Sequence, residues 1–109
     1  MVTAYNIGLS GEIETEKCLQ SKGHLTRRNT KLLGSTDIEV FSPDRVIIAL
    51  VQVKTAQSPS LASELSQEEA KNIKSRAAKI GAKPYLAKVQ LPALYPILGV
   101  ADVKFHEVL

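Results

Sequence analysis

Residues 46–54 read VIIALVQVK, and this stretch decides the fold. The consecutive apolar residues 46–51 leave neither side of a strand polar, which is typical of a strand at the centre of a sheet that is covered on both faces. Polar side chains enter only at Gln52 and Lys54. Because side chains alternate between the two faces of a strand, these two project on the same side. The stretch therefore predicts a central strand with two polar side chains near its C-terminal end.

A hairpin is predicted immediately before this strand. Residues 42–45 read SPDR, with Pro43 at the second position of a turn. A preceding strand runs from about 36 to 41 and contains Asp37 and Glu39, which are two apart and share a face. The hairpin is expected to bring this acidic pair close to Gln52 and Lys54.

The remaining segments predict helices on a mixed sheet. A Ser-rich loop is expected at 56–65, and Ser66 and Glu69 then form a capping box that begins a helix reaching about Ile80. The other expected elements are a helix at 7–22 ended by Gly23, and strands at 24–29, 84–90 and 102–108. The chain is therefore expected to be one α/β domain, residues 1–109, whose central sheet is flanked by helices in the order αβββαβ plus a final strand.

The polar end of the central strand suggests phosphodiester chemistry. Cutting a phosphodiester requires a Lewis acid on the phosphate, an activated water and stabilisation of developing negative charge. Hard oxygen ligands for Mg²⁺ or Mn²⁺ are available from the Asp37 carboxylate, the Gln52 amide and the Val53 backbone carbonyl. Lys54 can orient or help to deprotonate the water and can stabilise the charge.

The first helix offers a further carboxylate for the same site. One stripe at helical spacing combines two leucines with two acids, namely Leu9, Glu12, Glu16, Leu19 and Gly23. A solvated helix normally keeps its acids on the opposite face from its leucines, so one acid is expected to point into a cleft. The residues alone leave open whether Glu12, Glu16 or Glu39 completes the metal shell.

The charge distribution predicts a polyanionic partner. The net charge is +3 and the isoelectric point about 9.1. Basic residues cluster in two segments, and the candidate DNA contacts among them are Arg27, Arg28, Lys31, Lys71 and Lys74. Aromatic residues are few, which favours contacts with the backbone of duplex or branched DNA over stacking on single strands.

The expected location is the cytoplasm. Cys18 is the only cysteine, so an internal disulfide is impossible and a thiolate zinc site lacks ligands. The chain has no apolar run of membrane-spanning length, and residues 1–6 lack the basic and apolar segments of a secretory signal. We therefore expect no membrane association.

The ordered motifs resemble the PD-(D/E)xK nuclease superfamily and, more closely, the archaeal Holliday junction resolvases. The similar positions extend from about residue 8 to 108 and comprise Gly11-Glu12, Leu19, Gly23, Arg28, Gly34-Ser35-Thr36-Asp37-Ile38, Val51-Gln52-Val53-Lys54-Thr55, Gln67-Glu68-Glu69, residues 77–81 and Tyr85-Leu86-Ala87. The resemblance implies a restriction-endonuclease-like fold and a homodimer that binds four-way junctions and cuts two strands symmetrically in recombination and repair.

The resemblance also assigns roles to individual positions. Asp37 matches the first metal ligand of the motif, Lys54 its lysine, and Glu12, rather than Glu16, the carboxylate on the helix. Arg28 matches a basic residue suited to a DNA phosphate. Thr36 stands where the family has proline, and Gln52 stands where it usually has Glu or Asp, which removes one negative charge from the metal site.

These observations predict a magnesium-dependent endodeoxyribonuclease. Its candidate catalytic residues are Asp37, Gln52, Lys54 and Glu12, and its candidate metal ligands are Asp37, Gln52, Val53 and Glu12. A homing or restriction-type endonuclease is the alternative within this class. A DNA-binding module with a degenerate nuclease site is the alternative outside it.

Overall fold

Two helices and five strands make up the described part of the chain, which in this computed structural model comprises residues 4–29 and 37–109. The elements are α1 (Ala4–Ser21), β1 (Leu25–Asn29), β2 (Asp37–Phe41), β3 (Ile47–Gln57), α2 (Gln67–Lys79), β4 (Lys83–Leu91) and β5 (Asp102–Glu107). The strands form one sheet in the order β1-β2-β3-β4-β5, with only β3 and β4 parallel. The predicted α/β class, the mixed sheet and the αβββαβ order with a final strand are confirmed.

The strand β3 pairs with β2 on one side and with β4 on the other, which confirms its predicted central place in the sheet. Leu50 and Val51 are nearly inaccessible to solvent. Val46 and Ile48, in contrast, are 58% and 40% exposed. Pairing with β4 begins only at Ala49, so the start of the apolar run lies beyond the covered part of the sheet.

The C-terminal end of β3 extends further than predicted. Ala56 and Gln57, expected in a loop, belong to β3, which also begins at Ile47 rather than at residue 46. Parallel pairing with Gln90 and Leu91 of β4 supplies backbone partners for these residues. Long-range pairing, which local composition does not reveal, therefore overrides the loop-forming tendency of a polar segment.

The predicted hairpin of β2 and β3 is confirmed, and its register shifts just before the turn. The backbone N–H of Arg45 donates to the carbonyl of Ser42 at 2.9 Å, and Arg45 adopts a left-handed φ of 64° in the turn. Asp37 is the register partner of Gln52 across the two strands. Residues 30–36, which include the predicted chain break at 34–35, lie outside the described residues.

The two helices cover opposite faces of the sheet. On one face, Leu19 of α1 packs with Ile38 and Val51. On the other, Ile73 of α2 packs with Leu50. Because side chains alternate along β3, odd-numbered positions from 51 to 55 face α1 and even-numbered positions from 50 to 54 face α2.

Helix α1 lies very close to the end of β3. A Cβ atom added to Gly11 would be 1.7 Å from the Thr55 hydroxyl oxygen, a separation that no side chain tolerates. The absence of a side chain at Gly11 therefore allows the backbone of α1 to rest directly on Thr55. The Thr55 hydroxyl is buried in this contact and has no hydrogen-bond partner among residues 4–29 and 37–109.

Helix α1 is also longer at its N-terminal end than predicted, since it begins at Ala4 instead of residue 7. It ends one residue early, at Ser21, and Gly23 follows with a φ of 89°. The His24 N–H donates to the Leu19 carbonyl at 3.1 Å, which closes the helix as a glycine C-cap does. Neither described helix has the length and apolar character needed to cross a bilayer.

Candidate active site

The polar side chains at the end of β3 converge on one carboxylate of α2. Gln52, only 7% exposed, donates from Nε2 to Oε2 of Glu69 at 3.2 Å. Lys54 donates from Nζ to the same oxygen at 2.7 Å. The two strand residues therefore share a face, as the alternation predicted, and the centre of their contact is an acid on the following helix.

Glu69 is held in place by the start of α2. Its Oε1 accepts from the backbone N–H of Ser66 at 2.9 Å, and its own N–H donates to the Ser66 hydroxyl at 3.1 Å. This is the capping box that the sequence predicted. The same carboxylate thus closes the N-terminus of a helix and contacts the polar end of the central strand.

The electrostatics keep Glu69 ionised. The hydrogen bond from Lys54 lowers the pKa of the Glu69 carboxyl, and the backbone N–H of Ser66 lowers it further, against an opposing effect of burial. The site therefore presents the ionised carboxylate of Glu69 at neutral pH.

The strand β2 places the backbone of Asp37 opposite Gln52. This pairing is the juxtaposition that the sequence predicted for the metal site. The side chain of Asp37 lies outside the described part of the structure, so its role as a ligand stays a prediction.

Val53 lies one residue beyond the last β2–β3 register pair in the described residues. Its side chain packs on the α1 face, against the cluster that contains Leu19. Ligation by its backbone carbonyl also stays a prediction.

Glu12 contacts a different group of residues, between α1 and β1. Nη1 of Arg28 lies 3.9 Å from Oε1 of Glu12, and Nε of Arg28 lies 3.0 Å from Oε1 of Glu16. Both carboxylates are largely shielded from solvent. Thr26 also donates to Glu16, at 2.9 Å. Arg28 is the register partner of Ile38, whose side chain is in the α1 cluster, so this ion-pair group lies on the face opposite Gln52 and Lys54. The structure brings Gln52 and Lys54 together but places Glu12 with Arg28.

Burial changes the titration of Glu12. Desolvation raises the pKa of its carboxyl, the charge of Arg28 lowers it, and the neighbouring Glu16 raises it again. The acidic stripe of α1 is partly buried, and Arg28 compensates its charge. An acid that points into a catalytic cleft stays a prediction.

The candidate DNA contacts have different surroundings. Nε of Arg27 forms an ion pair with Oε1 of the buried Glu39 at 2.8 Å, and the guanidinium lies over the ring of Phe41. The charge of Glu39 is therefore balanced by Arg27, which gives Glu39 a structural role. Lys71 and Lys74 are exposed on α2, and Lys74 also donates to the backbone carbonyl of Leu109 at 3.3 Å. Lys31 lies outside the described residues.

Histidine, cysteine and acidic side chains do not gather into a metal-binding group of three or more within residues 4–29 and 37–109. The polar cluster at the end of β3 instead combines an amide, an ammonium and one carboxylate, from Gln52, Lys54 and Glu69.

No protein-family model matches the chain, and no curated protein shows significant sequence similarity to it. The resemblance to PD-(D/E)xK nucleases and junction resolvases therefore remains a prediction from the order of the motifs.

The role of Glu69 in the site was not predicted from the sequence, because its place in a capping box already explained an acid at this position. A signal was nevertheless present. Glu69 is at the start of the helix that follows the strand carrying Lys54, and a crossover helix begins near the C-terminal end of the strand before it. A carboxylate in the first turn of such a helix is a candidate partner for that strand end.

Proposed function

We propose that the protein is a DNA endonuclease that uses Mg²⁺ or Mn²⁺ to hydrolyse phosphodiester bonds, preferentially in branched DNA such as a four-way junction. The observation that supports this most is the polar cluster of Gln52, Lys54 and Glu69 beside the backbone position of Asp37. The central apolar strand ends in an amide and an ammonium, and an acid lies opposite on the neighbouring strand. This combination supports phosphodiester hydrolysis, because it offers oxygen ligands for a metal ion and a cation for the developing negative charge.

The residues present fit a hard divalent cation. The Gln52 nitrogen faces Glu69, so the Gln52 carbonyl oxygen is directed away from that carboxylate. This oxygen and the carboxylate of Asp37 are ligands of the kind that Mg²⁺ prefers, with the Val53 carbonyl as a further candidate. Glu12 is paired with Arg28 on the other face of the sheet and is therefore not among the ligands that we propose. The bound ion would polarise the phosphate and lower the pKa of an attacking water.

Lys54 performs the charge-stabilising role in this proposal. An ammonium has three N–H donors, so Lys54 can keep its bond to Glu69 and still donate to a phosphate oxygen or a water. Donors fixed before the reaction stabilise developing negative charge without reorganisation. Replacement of Lys54 should therefore reduce the rate of cleavage more than the affinity for DNA.

The DNA path that we favour crosses the start of α2. Lys71 and Lys74 are exposed on this helix, two and five residues after Glu69, and can contact phosphates that pass along its outer face. Arg27 and Arg28 are paired with acids, so a phosphate must compete with Glu39 or with Glu12 and Glu16 for them. The two lysines are therefore the stronger candidates.

Symmetrical cleavage of a junction needs two active sites. The part of the chain that the structure describes contains one such cluster, and a two-fold homodimer would supply a second at a defined spacing. We accordingly propose a homodimer that acts in the cytoplasm in DNA recombination or repair.

The test is cleavage of labelled four-way junction, linear duplex and single-stranded DNA of the same sequence, with Mg²⁺, with Mn²⁺ and with chelator. The variants are Lys54→Ala and, as a matched control, Lys88→Ala. Lys88 is the register partner of Lys54 on β4, its side chain is similarly exposed at 29% against 26%, and it too is paired with a carboxylate, that of Glu64. We expect metal-dependent cutting that Lys54→Ala abolishes and Lys88→Ala retains.

The substrate panel also distinguishes the nuclease classes. Preference for the junction supports a resolvase, whereas cutting of linear duplex at fixed sequences indicates a homing or restriction-type enzyme. Loss of cutting in both lysine variants would mean that each substitution reduces cutting by destabilising the fold and not by removing a catalytic group.

A DNA-binding module without catalysis is the second candidate, and Gln52 is the observation that favours it. A neutral amide replaces the carboxylate expected at this position, so the cation is held by less negative charge. DNA binding that weakens with salt, with no cutting under any metal, would identify this module.

A further inference from the structure

The amide of Gln52 is oriented by its partner. A carboxylate has only acceptors, so the Gln52 nitrogen must face Glu69 and the Gln52 oxygen must point away from it. The reverse orientation would oppose two oxygens at about the same 3.2 Å separation and leave a nearly buried amide without its bond. Glu69 therefore determines which atom Gln52 presents to the rest of the site.

The same carboxylate also restrains Lys54. Its Oε2 accepts from Lys54 at 2.7 Å, while its Oε1 is anchored to the backbone of Ser66. Because the anchor is a helix N-terminus, the position of the ammonium depends on the main chain of α2 and not on another mobile side chain.

From these contacts we infer that Glu69 is a positioning residue, which directs the Gln52 carbonyl oxygen toward the metal and holds Lys54 beside the phosphate. This inference rests on the proposed nuclease function. It also gives a physical reason for glutamine at position 52. A glutamate there would bring a second carboxylate against Glu69, and the two acids would compete for Lys54.

Two substitutions distinguish the positioning role of Glu69 from its structural role in the capping box. Glutamine is accepted at this capping-box position, so Glu69→Gln keeps the cap but can no longer impose one orientation on Gln52. Ser66→Ala is the matched control, since it removes the hydroxyl of the cap and leaves the bonds from Gln52 and Lys54 to Glu69 in place.

The first measurement is the affinity of the DNA-free protein for Mn²⁺, by calorimetry. Loss of an outer-shell partner typically weakens metal binding by about 10–100-fold, so we expect at least a tenfold rise in the Mn²⁺ dissociation constant for Glu69→Gln. For Ser66→Ala we expect a lower melting temperature and a nearly unchanged Mn²⁺ affinity.

The second measurement is rescue. The double variant Gln52→Glu with Glu69→Gln exchanges the acid and the amide. The amide at position 69 can then donate to the carboxylate at position 52, and Lys54 still has a carboxylate to pair with. We expect this exchange to restore Mn²⁺ affinity to the wild-type value or better. A merely structural Glu69 would not be rescued by a change in its partner.

The outcomes distinguish the inference from the function on which it rests. Wild-type Mn²⁺ binding and DNA cutting that persist unchanged in Glu69→Gln would overturn the inference and leave the nuclease intact. Equal losses in Glu69→Gln and Ser66→Ala would also overturn it, because helix capping would then be the cause. A wild-type protein that neither binds Mn²⁺ nor cuts DNA would overturn both.

Discussion

Replacement of Gly11 by alanine tests the packing that positions α1 on the central strand. The added methyl group would lie 1.7 Å from the Thr55 hydroxyl oxygen and 2.7 Å from both Cβ and Cγ2 of Thr55. The β-branched Thr55 side chain is stiff, so relief requires α1 to move away from the sheet by roughly 1.5–2 Å. Overpacking of this kind typically costs about 1–3 kcal/mol, and we expect the upper end because no flexible side-chain tip can yield.

The same helix provides the control. A Cβ atom added to Gly8 meets nothing within 4 Å. Gly8→Ala should therefore show only the helix propensity gain, a stabilisation of up to about 1 kcal/mol. The difference between the two alanine variants isolates the contact with Thr55 from the general effect of replacing a helical glycine.

Urea unfolding followed by circular dichroism measures these differences. We expect the unfolding free energy of Gly11→Ala to fall by about 3 kcal/mol, or the chain not to fold at all. The double variant Gly11→Ala with Thr55→Gly removes every clashing side-chain atom, so its loss should be smaller than the sum of the single losses by about 1 kcal/mol or more. A Gly11→Ala protein as stable as Gly8→Ala, or strictly additive losses, would refute the close approach.

Three further changes test individual contacts. Arg28→Met removes the charge that lowers the pKa of Glu12, so that pKa should rise further. Because a raised folded-state pKa adds stability as the carboxyl is protonated, the variant should regain stability relative to wild type as the pH falls from 7 toward 5. A difference in unfolding midpoint between the two proteins that does not change with pH would contradict this. Glu69 has a lowered pKa in the folded state, so its charged form stabilises the protein above the ordinary pKa of 4.5, and this stabilisation is lost as the pH falls through the lowered pKa. The difference in melting temperature between wild type and Glu69→Gln should therefore shrink toward pH 3. Tyr95→Phe removes a 2.8 Å hydrogen bond from the phenol to Glu14 of α1 and should lower the unfolding free energy by about 1 kcal/mol, whereas no loss in urea unfolding would mean that water replaces this bond.

The fold could be predicted from the sequence because its strongest signals are local. The apolar run of β3 and the turn at 42–45 together predict the β2–β3 hairpin. The capping box likewise placed the start of α2. Each of these signals depends on residues that are close in sequence. The exact pairing of Asp37 with Gln52 also depends on a register shift between Val40 and Phe41, which the sequence does not reveal.

The features that escaped prediction depend on long-range contacts. The last residues of β3 are polar, and only their pairing with β4 makes them a strand. Glu69 was assigned to the helix cap because its bonds to Gln52 and Lys54 exist only after α2 crosses back onto the sheet. Spacing in the chain, similarly, could not show that Glu12 lies with Arg28 on the opposite face.

The most direct test of the proposed function is the fate of a strand-labelled four-way junction incubated with the wild-type protein in Mg²⁺ or Mn²⁺, with chelator as the reference. We expect paired, symmetrical nicks that require the metal, end in defined products and are absent with Lys54→Ala. A junction that stays intact with both metals, although a gel-shift assay shows that the protein binds it, would contradict the nuclease and leave a DNA-binding protein.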